Sequence, residues 1–236
     1  MRNSTDIGEN IKRLRERIRA AAARAGRPPD GIACIAVAKG HPPAAVRVAV
    51  REGLAEIAEN RVQEAVPKAA QLADLSIRWH LVGSLQTNKV RPAVRLFSMI
   101  QSLDRIDLAR AIQKECEKEN RTIDALVQIE PTGEPAKHGV PPEAAAAFVR
   151  SLAEFDRIRL RGLMAIGPLT EDREKIRACF RQVRELFQSI RPTQEGGAVW
   201  DTLSMGMSDD FEIAIEEGAT LLRIGTLIFG PRSPSP

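Results

Sequence analysis

Lys39 is the residue in this chain best placed to do covalent chemistry. It follows seven consecutive apolar residues, Ile-Ala-Cys-Ile-Ala-Val-Ala at positions 32–38, and precedes Gly40 and the turn His41-Pro42-Pro43. An unbroken apolar run with β-branched members reads as a strand buried on both faces, the usual state in a parallel sheet. The carboxyl end of such a strand is where α/β folds bind ligands. Desolvation there would lower the amine below its ordinary pKa of about 10.4 and leave it able to attack a carbonyl. The alternative is a stem that snorkels into water. What surrounds the ammonium in space decides between the two.

Two late stretches, Ser204-Met-Gly-Met-Ser208 and Arg223-Ile-Gly-Thr226, suit a phosphate. They offer the hydroxyls of Ser204, Ser208 and Thr226, backbone N–H groups at Gly206 and Gly225, and the start of a helix expected at 209–217. Taken alone, each glycine equally permits a tight turn. Arg223 belongs near a strand end, and a buried guanidinium needs an acceptor, either Asp209 or Asp210 or a ligand ring nitrogen. Asn60 suits a ligand contact or a cap on the following helix. His80, within Trp79-His80-Leu-Val-Gly-Ser-Leu-Gln86-Thr-Asn88-Lys89, suits a hydrogen-bonded core position or a base. Met164 and Met205 read as core filler. Cys34 falls mid-strand and Cys116 and Cys179 in helices, so none is given a chemical role.

These residues need a scaffold that gathers strand ends. Ile7, Ile11, Leu14, Ile18 and Ala22 mark an amphipathic helix over 5–25. Its outer face carries Lys12, Arg13, Arg15, Arg17 and Arg19, with no interleaved aromatics to suggest nucleic acid. Strand candidates then fall at 32–38, 54–58, 77–82, 97–100, 123–129, 160–166, 202–205 and 221–224. Helix candidates separate them at 44–52, 62–72, 86–95, 105–119, 143–154, 173–190 and 209–217. Such alternation implies a parallel sheet with right-handed crossovers, and eight strands close a (β/α)8 barrel, a TIM barrel of the α/β class. An open doubly wound sheet is the alternative. A helix after strand eight is missing from the pattern, and the N-terminal helix is expected to complete the outer ring. We expect residues 1–236 to form a single domain, with 231–236 a disordered Pro/Ser tail.

Composition sets limits. The 236 residues are 43% hydrophobic and 28% charged with a formal charge of +4, ordinary for a soluble globular protein. No apolar run approaches the roughly 20 residues of a membrane span. No secretory signal is visible, and the odd number of widely spaced cysteines fits a reducing cytoplasm with no metal site. Lysine, phosphate seat and barrel together indicate a phosphorylated carbonyl compound held as a Schiff base. An aldolase-type enzyme for a sugar phosphate and a protein holding pyridoxal 5′-phosphate (PLP) both fit.

The blocks Ala-Val-Ala-Lys39, Ala-Glu59-Asn60-Arg-Val-Gln63-Glu64, Trp79-His80 through Lys89, Gly162-Leu-Met164, Ser204-Met-Gly-Met-Ser-Asp-Asp210 and Arg223-Ile-Gly-Thr-Leu-Ile-Phe-Gly230 resemble the pyridoxal phosphate homeostasis proteins, the YggS/PROSC-like family. The resemblance runs in order over nearly the whole chain. It implies a barrel similar to that of alanine racemases and PLP joined to Lys39 as an imine, with Arg223 facing the pyridine nitrogen. It also implies that Ser204 or Ser208, with Gly225 and Thr226, holds the phosphate, and that Asn60 and His80 line the pocket. Ala38 stands where the family often has Ser, Arg61 where it has an aromatic, and the chain closes on Pro231-Arg232-Ser-Pro-Ser-Pro.

An Arg beside the pyridine nitrogen keeps it unprotonated and weakens the ring as an electron sink. Racemases of this resemblance also use a tyrosine base, and the chain contains no tyrosine. A second domain to cover the site is not apparent either. We therefore expect a cytoplasmic, monomeric protein that buffers or delivers PLP, with apo PLP-dependent enzymes as partners, and no efficient turnover. A single-domain racemase-like PLP enzyme, drawing a base from His80 or Lys89, is the rival. A module binding RNA or a partner through the Arg-rich helix is a third reading.

Overall fold

A computed structural model describes residues 6–133, 138–190 and 199–231. Eight strands pair in chain order, all parallel, and the last closes on the first. They are β1 (Ala33–Val37), β2 (Glu56–Glu59), β3 (Arg78–Leu81), β4 (Met99–Leu103), β5 (Ile123–Ile129), β6 (Ile158–Ala165), β7 (Thr202–Ser204) and β8 (Leu221–Ile224). The helices are α1 (Ile7–Arg24), α2 (Pro43–Arg51), α3 (Val62–Ala70), α4 (Val90–Leu96), α5 (Ile106–Lys118), α6 (Pro142–Ser151), α7 (Arg173–Ile190), α8 (Phe211–Glu216) and α9 (Thr226–Phe229). The closed barrel is the architecture expected, and the open sheet is excluded.

Helix α1 begins at Asp6, whose side chain accepts from the Glu9 N–H, and it buries Ile11, Leu14, Ile18, Ala21 and Ala22. It packs against α8, α9 and α2, and so closes the outer ring where β8 is followed only by the four-residue α9. Part of its arginine face is structural. Arg17 and Arg24 pair with Glu212 of α8, Arg24 also with Glu216, and Arg15 donates to the Glu52 carbonyl. Among the described residues no helix is long and apolar enough to cross a membrane.

Alternation along each strand sets what faces the lumen. On β1, Ala36 joins the large core between strands and helices, whereas Ile35 packs with Ala58 and Leu221 in a separate cluster flanked by Val37 and Val82. A second small cluster joins Met99, Leu126 and Met164. The parity that sends Ile35 and Val37 inward carries on to Lys39. The same parity on β8 pairs Leu221 with Arg223, and on β2 it pairs Ala58 with Asn60.

Several expected elements differ in their bounds, two of them close to the site. The fourth strand runs Met99–Leu103, not 97–100, so the polar Gln101 and Ser102 are fully buried strand residues. The run read as one helix over 86–95 is a short 3-10 turn, Thr87–Lys89, followed by α4. Residues 232–236 of the expected tail lie outside the described residues.

Candidate functional site

At the carboxyl ends of the strands a cavity of about 240 Å³ is lined by Val37, Lys39, His41, Asn60, Val82, Ile166, Met207, Ser208, Asp209, Arg223, Gly225 and Thr226. Six of the eight residues singled out in the sequence meet there: Lys39, Asn60, Ser208, Arg223, Gly225 and Thr226. His80 and Ser204 do not. Both are buried one level deeper in the lumen, at 1% and 0% exposure.

Arg223 forms the floor. Its Nη1 donates to both the carbonyl and the Oγ of Ser204 at 2.8 Å, and Nη2 donates to the Ala165 carbonyl at 2.8 Å. Burial pushes the guanidinium down to about 10, opposed by the charge of Asp210. Among the described residues no carboxylate lies within ion-pair distance of it. Neither Asp209 nor Asp210 is therefore a salt-bridge partner. Of the five donors of a guanidinium, three are accounted for. The rest are free for an acceptor in the cavity.

The glycines of the two late motifs separate. Gly225 lines the cavity and starts α9, next to Thr226. The Ser208 hydroxyl accepts from the Leu227 N–H at 3.4 Å. Gly206 is buried away from the cavity with φ of 92°, and an added Cβ would lie 2.5 Å from that of Ala214. It serves a turn packed on α8. The helix α8 that follows is six residues long, and the carboxylate of its N-cap, Asp210, accepts from the Met207 N–H at 2.5 Å.

Asn60 does not cap α3. The N-cap is Arg61, whose side chain makes no capping hydrogen bond, and Asn60 faces the cavity instead. The end of β3 presses on it, because a Cβ on Gly83 would fall 2.1 Å from the Asn60 carbonyl oxygen. Below Lys39 the chain is held from outside the barrel. Lys68 of α3 donates to the Ala38 carbonyl at 2.8 Å and is paired with the fully buried Glu59. Burial raises the Glu59 carboxyl, an effect that Lys68 partly offsets.

Lys89 sits elsewhere. A neighbouring cavity of about 510 Å³ is lined by Asn60, Arg61, Gln63, Gln86, Lys89, Arg105 and His138, among others. It shares only Asn60 with the first. Sequence reasoning passed over His41 and Gln101, and considered Asp209 only as a partner for Arg223. His41 lines the Lys39 cavity and stacks on Phe229 with centroids 5.0 Å apart. Its proximity to Lys39 was the available signal. Gln101 carried none, since a polar residue after an apolar run reads as a strand end.

Fold and site define a barrel that gathers a lysine, a buried arginine and a hydroxyl-lined glycine turn in one mouth. Residues 10–233 match the sequence model of the family described as alanine racemase, N-terminal domain, the class of barrel to which the chain belongs. It is 42% identical over 226 residues, 96% of each chain, to the pyridoxal phosphate homeostasis protein of Pseudomonas aeruginosa. It is 42% identical over 224 residues, 95% of this chain and 97% of the relative, to that of Aquifex aeolicus. The structure of PipY from Synechococcus elongatus with PLP bound superposes with a TM-score of 0.81 at 35% identity, covering 95% of this chain and all of that one. Within the class, the chain is a member of the pyridoxal phosphate homeostasis protein family.

Proposed function

We propose that this protein binds PLP in the Lys39 cavity and serves PLP homeostasis by buffering or delivering the cofactor. The observation that carries this is the convergence, in one cavity, of Lys39, Arg223 with uncommitted donors, and the Ser208–Gly225–Thr226 corner. PLP supplies an aldehyde that condenses with a primary amine, a ring nitrogen that accepts a hydrogen bond, and a phosphate dianion. In this reading Lys39 provides the amine and Arg223 donates to the ring nitrogen. Ser208 and Thr226, with the backbone at Gly225, hold the phosphate. Ser204, its hydroxyl already engaged, does not. Asn60 borders the pocket, and His80 acts from below.

The residues favour holding over turnover. A guanidinium is a permanent donor, so it keeps the ring nitrogen unprotonated and the ring a weak electron sink. The chain has no tyrosine. His80 and Lys89, the bases that a racemase-like activity would draw on, both lie outside the cavity lining. Delivery to apo PLP-dependent enzymes by a monomeric, cytoplasmic protein completes the proposal.

The test is direct. Protein loaded with PLP is reduced with borohydride, digested and mapped by mass, and the adduct is expected on Lys39. Lys39→Ala should lose both the adduct and the visible absorbance. A mass adduct on another lysine would end the assignment of the site. Sustained racemisation or decarboxylation of amino acids, lost in Lys39→Ala, would end the holding role. Loaded protein mixed with an apo PLP enzyme should activate it on a time course distinct from that of free PLP.

A further inference from the structure

Beneath the cavity, polar side chains from five strands meet across the lumen. Ser204 Oγ of β7 donates to Gln101 Oε1 of β4 at 2.7 Å, and Gln101 Nε2 lies 3.2 Å from His80 Nδ1 of β3. His80 Nε2 in turn lies 3.0 Å from Oε2 of Glu56 at the start of β2, off the N–H axis. The upper end of the row is Arg223 of β8, whose Nη1 donates to Ser204 Oγ. His80, Gln101, Ser204 and Arg223 are all buried, and an unsatisfied polar group at that depth costs more than a hydrogen bond returns.

The direction of every donor follows from one end. A guanidinium only donates, so Ser204 Oγ must accept from it and pass its own proton to Gln101 Oε1. The carbonyl end of the amide then faces Ser204, and its NH₂ faces His80. An amide NH₂ cannot accept, so Nδ1 of His80 is bare and the ring proton sits on Nε2, toward the Glu56 carboxylate. Arg223 and Glu56, opposite charges at the two levels, terminate a row whose dipoles all point one way. The neighbouring His80 is the leading influence that holds the Glu56 carboxyl below its ordinary range.

We infer that Gln101, acting through Ser204, is the positioning residue that aims Arg223 into the Lys39 cavity, and that the row locks His80 as its Nε2–H tautomer. The inference rests on the PLP reading for its consequence at the cofactor, but the tautomer belongs to the unliganded protein. Ser204→Ala tests it without touching His80. Removing the Ser204 proton frees the amide to flip, so a residue that makes no contact with the imidazole should change the tautomer of that ring.

The measurement is imidazole ¹⁵N NMR of the unliganded protein at pH 7, with PLP affinity read from visible absorbance. Wild type should show His80 as one Nε2–H tautomer. Ser204→Ala should show a mixture and bind PLP about tenfold more weakly with a shifted absorbance maximum. Gln101→Met should do the same, and it decides the matter if Ser204→Ala fails to fold. Gln101→Glu accepts from both sides, so His80 should become doubly protonated while affinity stays within about twofold of wild type. A wild-type Nδ1–H tautomer, or Ser204→Ala with an unchanged tautomer and affinity, overturns the inference. Wild type that takes up no PLP overturns the functional reading instead, and the NMR arm still judges the row.

Discussion

Lys68 is the most informative single residue to remove. Its ammonium is the partner of a Glu59 carboxylate with 0% exposure, whose second oxygen, Oε2, has no hydrogen-bond partner among the described residues. Lys68→Met keeps the stem and deletes the charge, so a carboxylate is left buried and unpaired. Breaking a buried pair in this way costs about 3–5 kcal/mol. At about 2–4 °C per kcal/mol for a chain of this length, the midpoint should fall by roughly 6–20 °C in a thermal melt at pH 7.5. The pH dependence has a definite sign. Burial raises the Glu59 carboxyl in the folded protein, and deleting Lys68 raises it further. A carboxyl raised on folding favours the fold below its unfolded pKa of about 4.3, and that contribution is lost as pH rises through the folded value. The deficit of Lys68→Met relative to wild type should therefore shrink toward pH 5 and be largest at pH 7.5. Lys68→Met/Glu59→Gln, which removes both charges, should recover most of it. A shift of a few degrees only at pH 7.5, or a deficit equal at both pH values, refutes the reasoning. Because Lys68 also donates to the Ala38 carbonyl, PLP uptake at Lys39 should weaken alongside stability.

Two further outcomes are expected. Burial pushes the Cys34 thiol up to about 12 and the Cys116 thiol up to about 11. Iodoacetamide at pH 8 should thus leave both unmodified in the folded protein and alkylate both in urea, and labelling of either at the rate of a free thiol under native conditions contradicts this. Gly83→Ala drives a methyl to 2.1 Å from the Asn60 carbonyl oxygen, so the end of β3 or Asn60 must move. We expect a loss of about 1–3 kcal/mol or more in urea unfolding, with weakened PLP binding, and a neutral result would show that the two strand ends separate freely.

The alternation of strands and helices was legible because apolar periodicity and Gly/Pro punctuation are local properties. So was the place of α1: a pattern ending on strand eight leaves a gap in the ring, and an amphipathic helix at the other end of the chain fits it. The boundaries that failed have a shared cause. Gln101 was read as the end of β4, and Asn60 as an alternative cap, because single-chain reasoning assigns a polar residue beside an apolar run to solvent or to the nearest helix. In the barrel, Gln101 finds its partners on β3 and β7.

By itself, the sequence determined the alternation along most strands, and with it the side chains there that turn inward, whereas β4 and β6 each interrupt it with a shift of register. Lys39, Asn60, His80, Ser204 and Arg223 all follow from a period of two, which no tertiary contact can alter without turning the whole strand over. Only the closed structure decided the level each one occupies. Depth in the lumen depends on the stagger between neighbouring strands, which closure fixes for the barrel as a whole. That stagger lifts Lys39, Ser208 and Thr226 to the mouth. It leaves His80, Gln101 and Ser204 buried below, where they meet one another, Arg223 and Glu56.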